Sequence, residues 1–477
     1  MNGFNHLPGR RRCTRLALFL AALVAALVMP AQAAVDLSKV PAVGTPRDFI
    51  PPARDTVQLP NGLRISFIPF GGVPKVSLVA VVRTGNIDDG VQPGLADLTT
   101  NLMAEGAGDR DGPTLDRYVA GMGGSLGVSS GGTQLSVSLD VLAERGPDAA
   151  MVIADVLRHP RLPATELERL RSDMARNVSI SRSQAQTVAS EAYALLLYGN
   201  HPYGRGLPSD AIIAGYRLED IQHFVSTQLG AARTHLYVAG QFDRTRMEAA
   251  LRQAFGDWVA GTPATLIPPL PPFVAGVKLI ERADAPQSTL SLGLPVVSPS
   301  HPDWIALQVA NSLLGGAFFS RITLNIREAK GYAYSPASSL SPQLGAADWS
   351  EDADVTREDT ADALREVYRE IERLQAEPAP QDELQRNQNL LIGRLALSVS
   401  SRQGLISRLS FLDLHGLSDH WLASYVSAVR AVTPARLTEV FRAHLNPQRM
   451  SLVVVGDMSK VRESVKALPQ VQVLPET

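Results

Sequence analysis

Residues 229–240 read LGAARTHLYVAG, and residues 445–456 read LNPQRMSLVVVG. The two stretches align without a gap: Leu229 falls on Leu445, Arg233 on Arg449, Leu236 on Leu452, Val238 on Val454 and Gly240 on Gly456. Each reads as a helix end, a short turn and a brief apolar run closed by glycine, the pattern of a buried strand. A second pair occurs in the same order. Residues 95–107 (LADLTTNLMAEGA) and 305–317 (IALQVANSLLGGA) both carry helical spacing. Two matches in one order point to a duplicated unit.

Between the copies lies Ile267-Pro268-Pro269-Leu270-Pro271-Pro272. Proline at this density cannot enter a sheet centre or a helix interior, so residues 261–273 read as a semi-rigid linker. It separates an N-terminal domain over 48–260 from a C-terminal domain over 274–465. In the first half, residues 63–67 and 76–84 suit strands. Residues 121–138 hold two runs around Ser129-Ser130-Gly131-Gly132, a hairpin signal, and 148–157 and 164–181 have helical spacing. In the second half, 289–297 is strand-like and the acidic run 359–374 is an amphipathic helix. Strands and helices grouped in this way imply an α+β fold of two homologous α/β-sandwich domains.

The chain has 477 residues, 45% of them hydrophobic and 19% charged, which is ordinary for a globular protein and excludes wholesale disorder. Arg10, Arg11, Arg12 and Arg15 precede an apolar run over 16–29 and the small-residue site Ala31-Gln32-Ala33. This is the layout of a secretory signal peptide over residues 1–33, so export, to the periplasm in a bacterium, is expected. An uncleaved membrane anchor is the other reading of that run, and the paired arginines leave a twin-arginine route open beside the general one. The whole chain has 45 basic against 47 acidic side chains. Losing residues 1–33 removes four arginines and no acid, leaving 41 against 47, a net charge of −6. No basic face for nucleic acid is evident. The single cysteine, Cys13, leaves with the leader, so the mature chain holds neither disulfide nor thiolate metal site.

Several phrases resemble the insulinase/pitrilysin peptidase superfamily, above all its short two-domain bacterial members and the mitochondrial processing peptidase subunits. In the first half they are NGLRISFIP (61–69), GLADLTTNLMAEGA (94–107), GGSLGVSSGGTQLSVSLDVL (123–142), RHPRLPATELERLR (158–171), YGNHPYGR (198–205) and LYVAGQFD (236–243). In the second half the phrase is LLGGAFFSRITLNIREAKGYAYS (313–335). The resemblance implies mainly antiparallel sheets packed on helices, the two domains together forming a clam-like half-chamber. Active relatives carry H-x-x-E-H on the first helix. There two histidines on one helical face hold zinc and the glutamate acts as general base.

Here that stretch is Asp97-Leu98-Thr99-Thr100-Asn101. Asp97 and Asn101 stand at the histidine positions and Thr100 at the glutamate position. The third family ligand should fall near Arg176, Asn177 or Val178, with Asp173 the nearest acid. The nine histidines contain no H-x-H or H-x-x-H pair, and His201 in HPYG reads as turn chemistry. No metal site is therefore expected in this chain. A hard cation on Asp97 and Asn101 is the alternative, with one carboxylate to support it.

The family also uses an arginine and a tyrosine seven residues apart in its second domain. Arg327 and Tyr334 stand at those positions, with Gly331 between them and Ser320-Arg321 upstream. The resemblance implies that they hydrogen-bond the substrate carbonyl and stabilise its developing negative charge. The plainer alternative is a strand-packed Tyr334 and a surface ion pair at Arg327. The resemblance implies the non-zinc subunit of a heterodimeric zinc endopeptidase, with zinc and H-x-x-E-H in the partner and an extended peptide as substrate. A non-enzymatic peptide-binding or scaffold protein of the same fold is the competing expectation.

Overall fold

The computed structural model describes residues 49–264, 270–472 and 474–475. The expected signal peptide and part of the linker lie outside them. Among the described residues no helix is long and apolar enough to cross a membrane.

In the first half, strands β1 (Asp55–Gln58), β2 (Arg64–Pro69), β3 (Lys75–Val82), β6 (Leu126–Ser130), β7 (Leu135–Leu142) and β8 (Thr234–Gly240) form one sheet, ordered β1-β2-β8-β3-β7-β6. Residues Gly106–Ala107 (β4) and Arg110–Asp111 (β5) make a separate two-residue pairing. In the second half, β9 (Val277–Glu281), β10 (Gln287–Val296), β11 (Ala337–Gln343), β12 (Ala346–Thr356) and β13 (Ser451–Gly456) form a sheet ordered β9-β13-β10-β12-β11. The two orders superimpose strand for strand once β1 is set aside. β2 runs parallel to β8 and β9 runs parallel to β13, and every other pairing in both sheets is antiparallel. The aligned sequence copies are the strands β8 and β13, each preceded by a helix, Leu218–Gln228 or Pro434–His444. Both halves are thus α/β sandwiches of one duplicated topology.

The apolar run of β3 has no alternation, and the packing explains why. Val76, Leu78, Ala80 and Val82 face the core of the first half, together with the helices Leu95–Ala104, Gly146–Arg158 and Arg244–Phe255. Val79 and Val81 point to the opposite face and join a core built mainly from the second half. Strand β13 behaves in the same way. Leu452 and Val454 face the helices of the second half, while Val453 and Val455 pack against Ala189, Tyr193 and Leu197. A strand dry on both faces needs no polar alternation.

The dry outer faces arise from an exchange of helices. Helix Ala185–Tyr198 of the first half lies on the second sheet, where Tyr193 donates to the carbonyl of Trp349 (2.8 Å) and Tyr198 to Asp348 (2.7 Å). Helix Arg402–His415 of the second half lies on the first sheet, where Arg402 pairs with Asp140 (2.9 Å). At its other end Asp413 accepts from Arg54 (2.8 Å) and from Tyr237 (2.5 Å).

Candidate functional site

The metal-motif position lies on the helix Leu95–Ala104. Asp89 caps it from outside, accepting from the backbone N–H groups of Gly94 (2.7 Å) and Ala96 (2.8 Å). Burial nevertheless pushes the Asp89 carboxyl up to about 6. One turn on, Asp97 accepts from Asn86 (3.0 Å) and from the Ser130 hydroxyl. Thr100 is buried and donates back to the Asp97 carbonyl (2.9 Å), and Asn101 is exposed. On the later helix, Ala164–Arg182, Arg176 and Asn177 are exposed, and Val178 is buried in the core. Asp173 is held by Arg169 (3.1 Å) and Arg176 (2.7 Å).

Zinc needs three or four convergent imidazole, thiolate or carboxylate ligands. Among the described residues no group of three such side chains is placed to hold a metal. Asp97 already has two hydrogen-bond donors, and the acid nearest the third-ligand position is paired with arginines. The residues present do not fit a zinc ion.

The second position is built differently. Helix Trp304–Asn311 runs on into a π-helical turn, Ser312–Gly316, and a second π-helical turn spans Thr323–Ala329. The helical spacing over 305–317 is thus realised as an α-helix that ends in a widened turn, a feature often found at functional positions. Arg321 makes two 2.9 Å bonds to Glu383, and both side chains are nearly buried. Asn325 donates to Glu366 (2.9 Å) and Glu370 (2.8 Å). These bonds brace the turn that carries Arg327. Gly331, at φ 69°, donates from its backbone to the Arg327 carbonyl (3.1 Å) and reverses the chain.

The reversal brings together the two residues that the family resemblance singled out. The Arg327 guanidinium lies 5.2 Å from the ring centre of Tyr334 and 4.7 Å from that of Phe318. Tyr334 is 79% exposed and belongs to no strand, so the strand-packed alternative does not hold. Arg327 does meet a surface acid, Glu328, at 3.2 Å. An always-charged, half-buried guanidinium beside an exposed phenol can offer N–H and O–H donors to an oxygen. The aromatic neighbour Phe318 and its companion Phe319 escaped the sequence reading. Their signal was two adjacent large apolar residues in Gly315-Gly316-Ala317-Phe318-Phe319, outside any periodic run. His201 accepts from the Tyr203 backbone N–H (3.2 Å), as turn chemistry requires.

Comparison with known proteins gives the family. Residues 72–210 match the family model "Insulinase (Peptidase family M16)", and residues 216–391 match "Peptidase M16 inactive domain". An uncharacterized zinc protease of Mycobacterium tuberculosis is 25% identical over 433 residues, covering 89% of this chain and 97% of that protein. The β subunit of the rat mitochondrial-processing peptidase is 24% identical over 269 residues, 55% of this chain and 54% of its own length. Among solved structures, a peptidase M16 inactive domain from Pseudomonas fluorescens has a TM-score of 0.79 at 22% identity, covering 84% of this chain and 98% of that one. A protease from Helicobacter pylori has a TM-score of 0.76 at 16% identity, covering 85% and 99%. These structures share the fold. The chain belongs to the insulinase (M16) peptidase family, in its short two-domain form.

Proposed function

We propose that this chain is the subunit without zinc of an exported, periplasmic heterodimeric zinc endopeptidase that acts on peptides or unfolded polypeptides. Its lobes, drawn at 48–260 and 274–465, form its half of the reaction chamber. The observation that carries this reading is the contrast between the two positions. Half-buried Arg327, on a braced turn, lies beside exposed Tyr334, while Asp97, Thr100 and Asn101 offer no ligand set. Zinc in the partner would polarise the attacking water and the scissile carbonyl. The part of this chain is to donate hydrogen bonds from Arg327 and Tyr334 to that carbonyl oxygen, whose negative charge grows as the reaction proceeds.

The test is a quenched-fluorescent-peptide assay of the purified mature chain, alone and mixed with a homologous chain carrying H-x-x-E-H. Chelator-sensitive cleavage is expected in the mixture only. Arg327→Ala is expected to lower turnover by roughly 10²-fold, and Tyr334→Phe by roughly tenfold, with assembly intact by sedimentation velocity. Unchanged turnover in both variants removes the catalytic role. Absence of cleavage on mixing favours the second reading, a peptide-binding or scaffold protein of the same fold.

A further inference from the structure

Arg64 opens β2, Arg83 follows β3 and Arg233 precedes β8, so three arginines from adjacent strands reach one end of the first sheet. Arg64 pairs in register with His235. The Arg83 N–H donates to the Arg233 carbonyl (2.9 Å), which carries the β3–β8 pairing one residue past Val82 and Thr234. All three side chains line a cavity of about 180 Å³ that also meets Gln134 and, from helix Arg402–His415 of the second half, Ser410 and Asp413. Like charges set opposite one another on neighbouring strands cost stability.

The acids nearby do not balance these charges. Arg83 makes no ion pair among the described residues. The Arg233 side chain is 2% exposed, donates to the Gln228 carbonyl (3.3 Å) and meets Asp88 at 3.4 Å. Its Nε is buried without a hydrogen-bond partner among the described residues. Burial lowers the Arg233 pKa and Arg83 lowers it further, against the pull of Asp88. Asp413 lies 3.8 Å from Arg64, but Arg54 (2.8 Å) and Tyr237 (2.5 Å) already hold that carboxylate. Arg54 in turn pairs with Asp419 (2.7 Å). An orphaned buried N–H and an unpaired guanidinium on one cavity wall call for an acceptor from outside the chain.

We propose that this cavity binds a phosphate group, held by Arg64, Arg83 and Arg233. It does not rest on the role of Arg327 and Tyr334. A carboxylate offers two oxygens in one plane and satisfies one guanidinium fork. Three forks from three strands ask for oxygens in three directions, which a tetrahedral oxyanion provides. Pockets for larger ligands run to roughly 300–1,000 Å³. The smaller cavity here suits a phosphate ion or the phosphate end of a small ester.

The test is isothermal titration calorimetry of the full mature chain at pH 8 and low ionic strength. The probes are inorganic phosphate, glycerol 3-phosphate and acetate. Wild type is expected to bind phosphate with a Kd of roughly 1 mM or tighter, and acetate about tenfold more weakly. Arg83→Gln and Arg64→Gln, both at exposed positions, should each weaken phosphate binding about tenfold with an unchanged circular dichroism spectrum. Arg386→Gln removes an equal charge from a side chain 67% exposed in the second half, and should leave the affinity unchanged. Phosphate should also raise the thermal unfolding midpoint of wild type more than that of Arg83→Gln. Glycerol 3-phosphate separates the sources: binding equal to that of phosphate assigns the site to esters as well, and loss of binding assigns it to the free ion. The proposal is overturned if neither phosphate compound binds, or if acetate binds as tightly as phosphate. Phosphate affinity that survives both Arg83→Gln and Arg64→Gln overturns it equally.

Discussion

Thr100 illustrates how a single side chain closes off hydrolytic chemistry. It stands where a general base belongs, yet its hydroxyl is buried and donates to the carbonyl of its own helix. A hydroxyl so engaged has no proton-accepting role near neutral pH. Asp348 shows the opposite situation, a charge that packing has made expensive. It lies under the exchanged helix Ala185–Tyr198, accepts from the Tyr198 hydroxyl, and is pushed by burial up to about 6. Its folded value lies above the ordinary 3.8, so the native state binds the proton more tightly than the unfolded chain does. Its contribution to stability is full below that ordinary value and is lost as pH rises through about 6. Asp348→Asn keeps an acceptor for Tyr198 and removes the charge. It is expected to stabilise the protein by up to about 3 kcal/mol at pH 8 and by little at pH 4. Urea unfolding at the two pH values measures this, and an equal effect at both would mean that Asp348 titrates as an ordinary carboxylate.

At the scale of the element, the turn from Ser320 to Gly331 was half legible. The spacing of Arg327, Gly331 and Tyr334 is local, so the sequence carried it. The bracing was not visible, because Arg321 meets Glu383 from 62 residues away and Asn325 meets Glu366 and Glu370 from another helix. The π-helical register was hidden as well, since a widened turn has the same apolar composition as an ordinary helix end. Gly331 sits at φ 69°, and a Cβ there would meet nothing within 4 Å. Only backbone conformation therefore opposes a side chain. Gly331→Ala is expected to cost about 1–2 kcal/mol in thermal unfolding, and Gly331→Asn less, because asparagine tolerates the left-handed region. A loss well beyond that range would point to a packing contact instead.

For the whole molecule, the exchanged helices make each half the lid of the other. Removing the second half would bare Val79, Val81, Tyr237 and Ala239, and removing the first would bare Val453 and Val455. Arg54, His235 and Tyr237 surround Asp413 at one of these contacts, with His235 Nδ1 3.2 Å from its carboxylate. Burial lowers the His235 pKa, and the donors around Asp413 hold its carboxyl well below the usual range despite burial. Both shifts make this contact stabilising near neutrality and weaker in acid, as His235 and then Asp413 take up protons. Residues 49–264 and 270–475 expressed separately are expected to aggregate or to bind hydrophobic dyes, and to assemble when produced together. A monodisperse, cooperatively unfolding half on its own, seen by size exclusion and calorimetry, would show that the exchange is dispensable.

The sequence by itself determined the duplication and the strand runs, and its resemblance to the family marked the ligand types missing at Asp97, Thr100 and Asn101 and the positions of Arg327 and Tyr334. Each is written in residue identity or short spacing, which local backbone geometry reads directly. Only the tertiary structure decided which element dries the second face of each sheet, that Asp348 is buried, and that Phe318 is displayed beside Arg327. An unbroken apolar run such as β3 states that both its faces avoid water. It does not say which distant segment covers them, because burial is settled by packing between segments far apart in the chain.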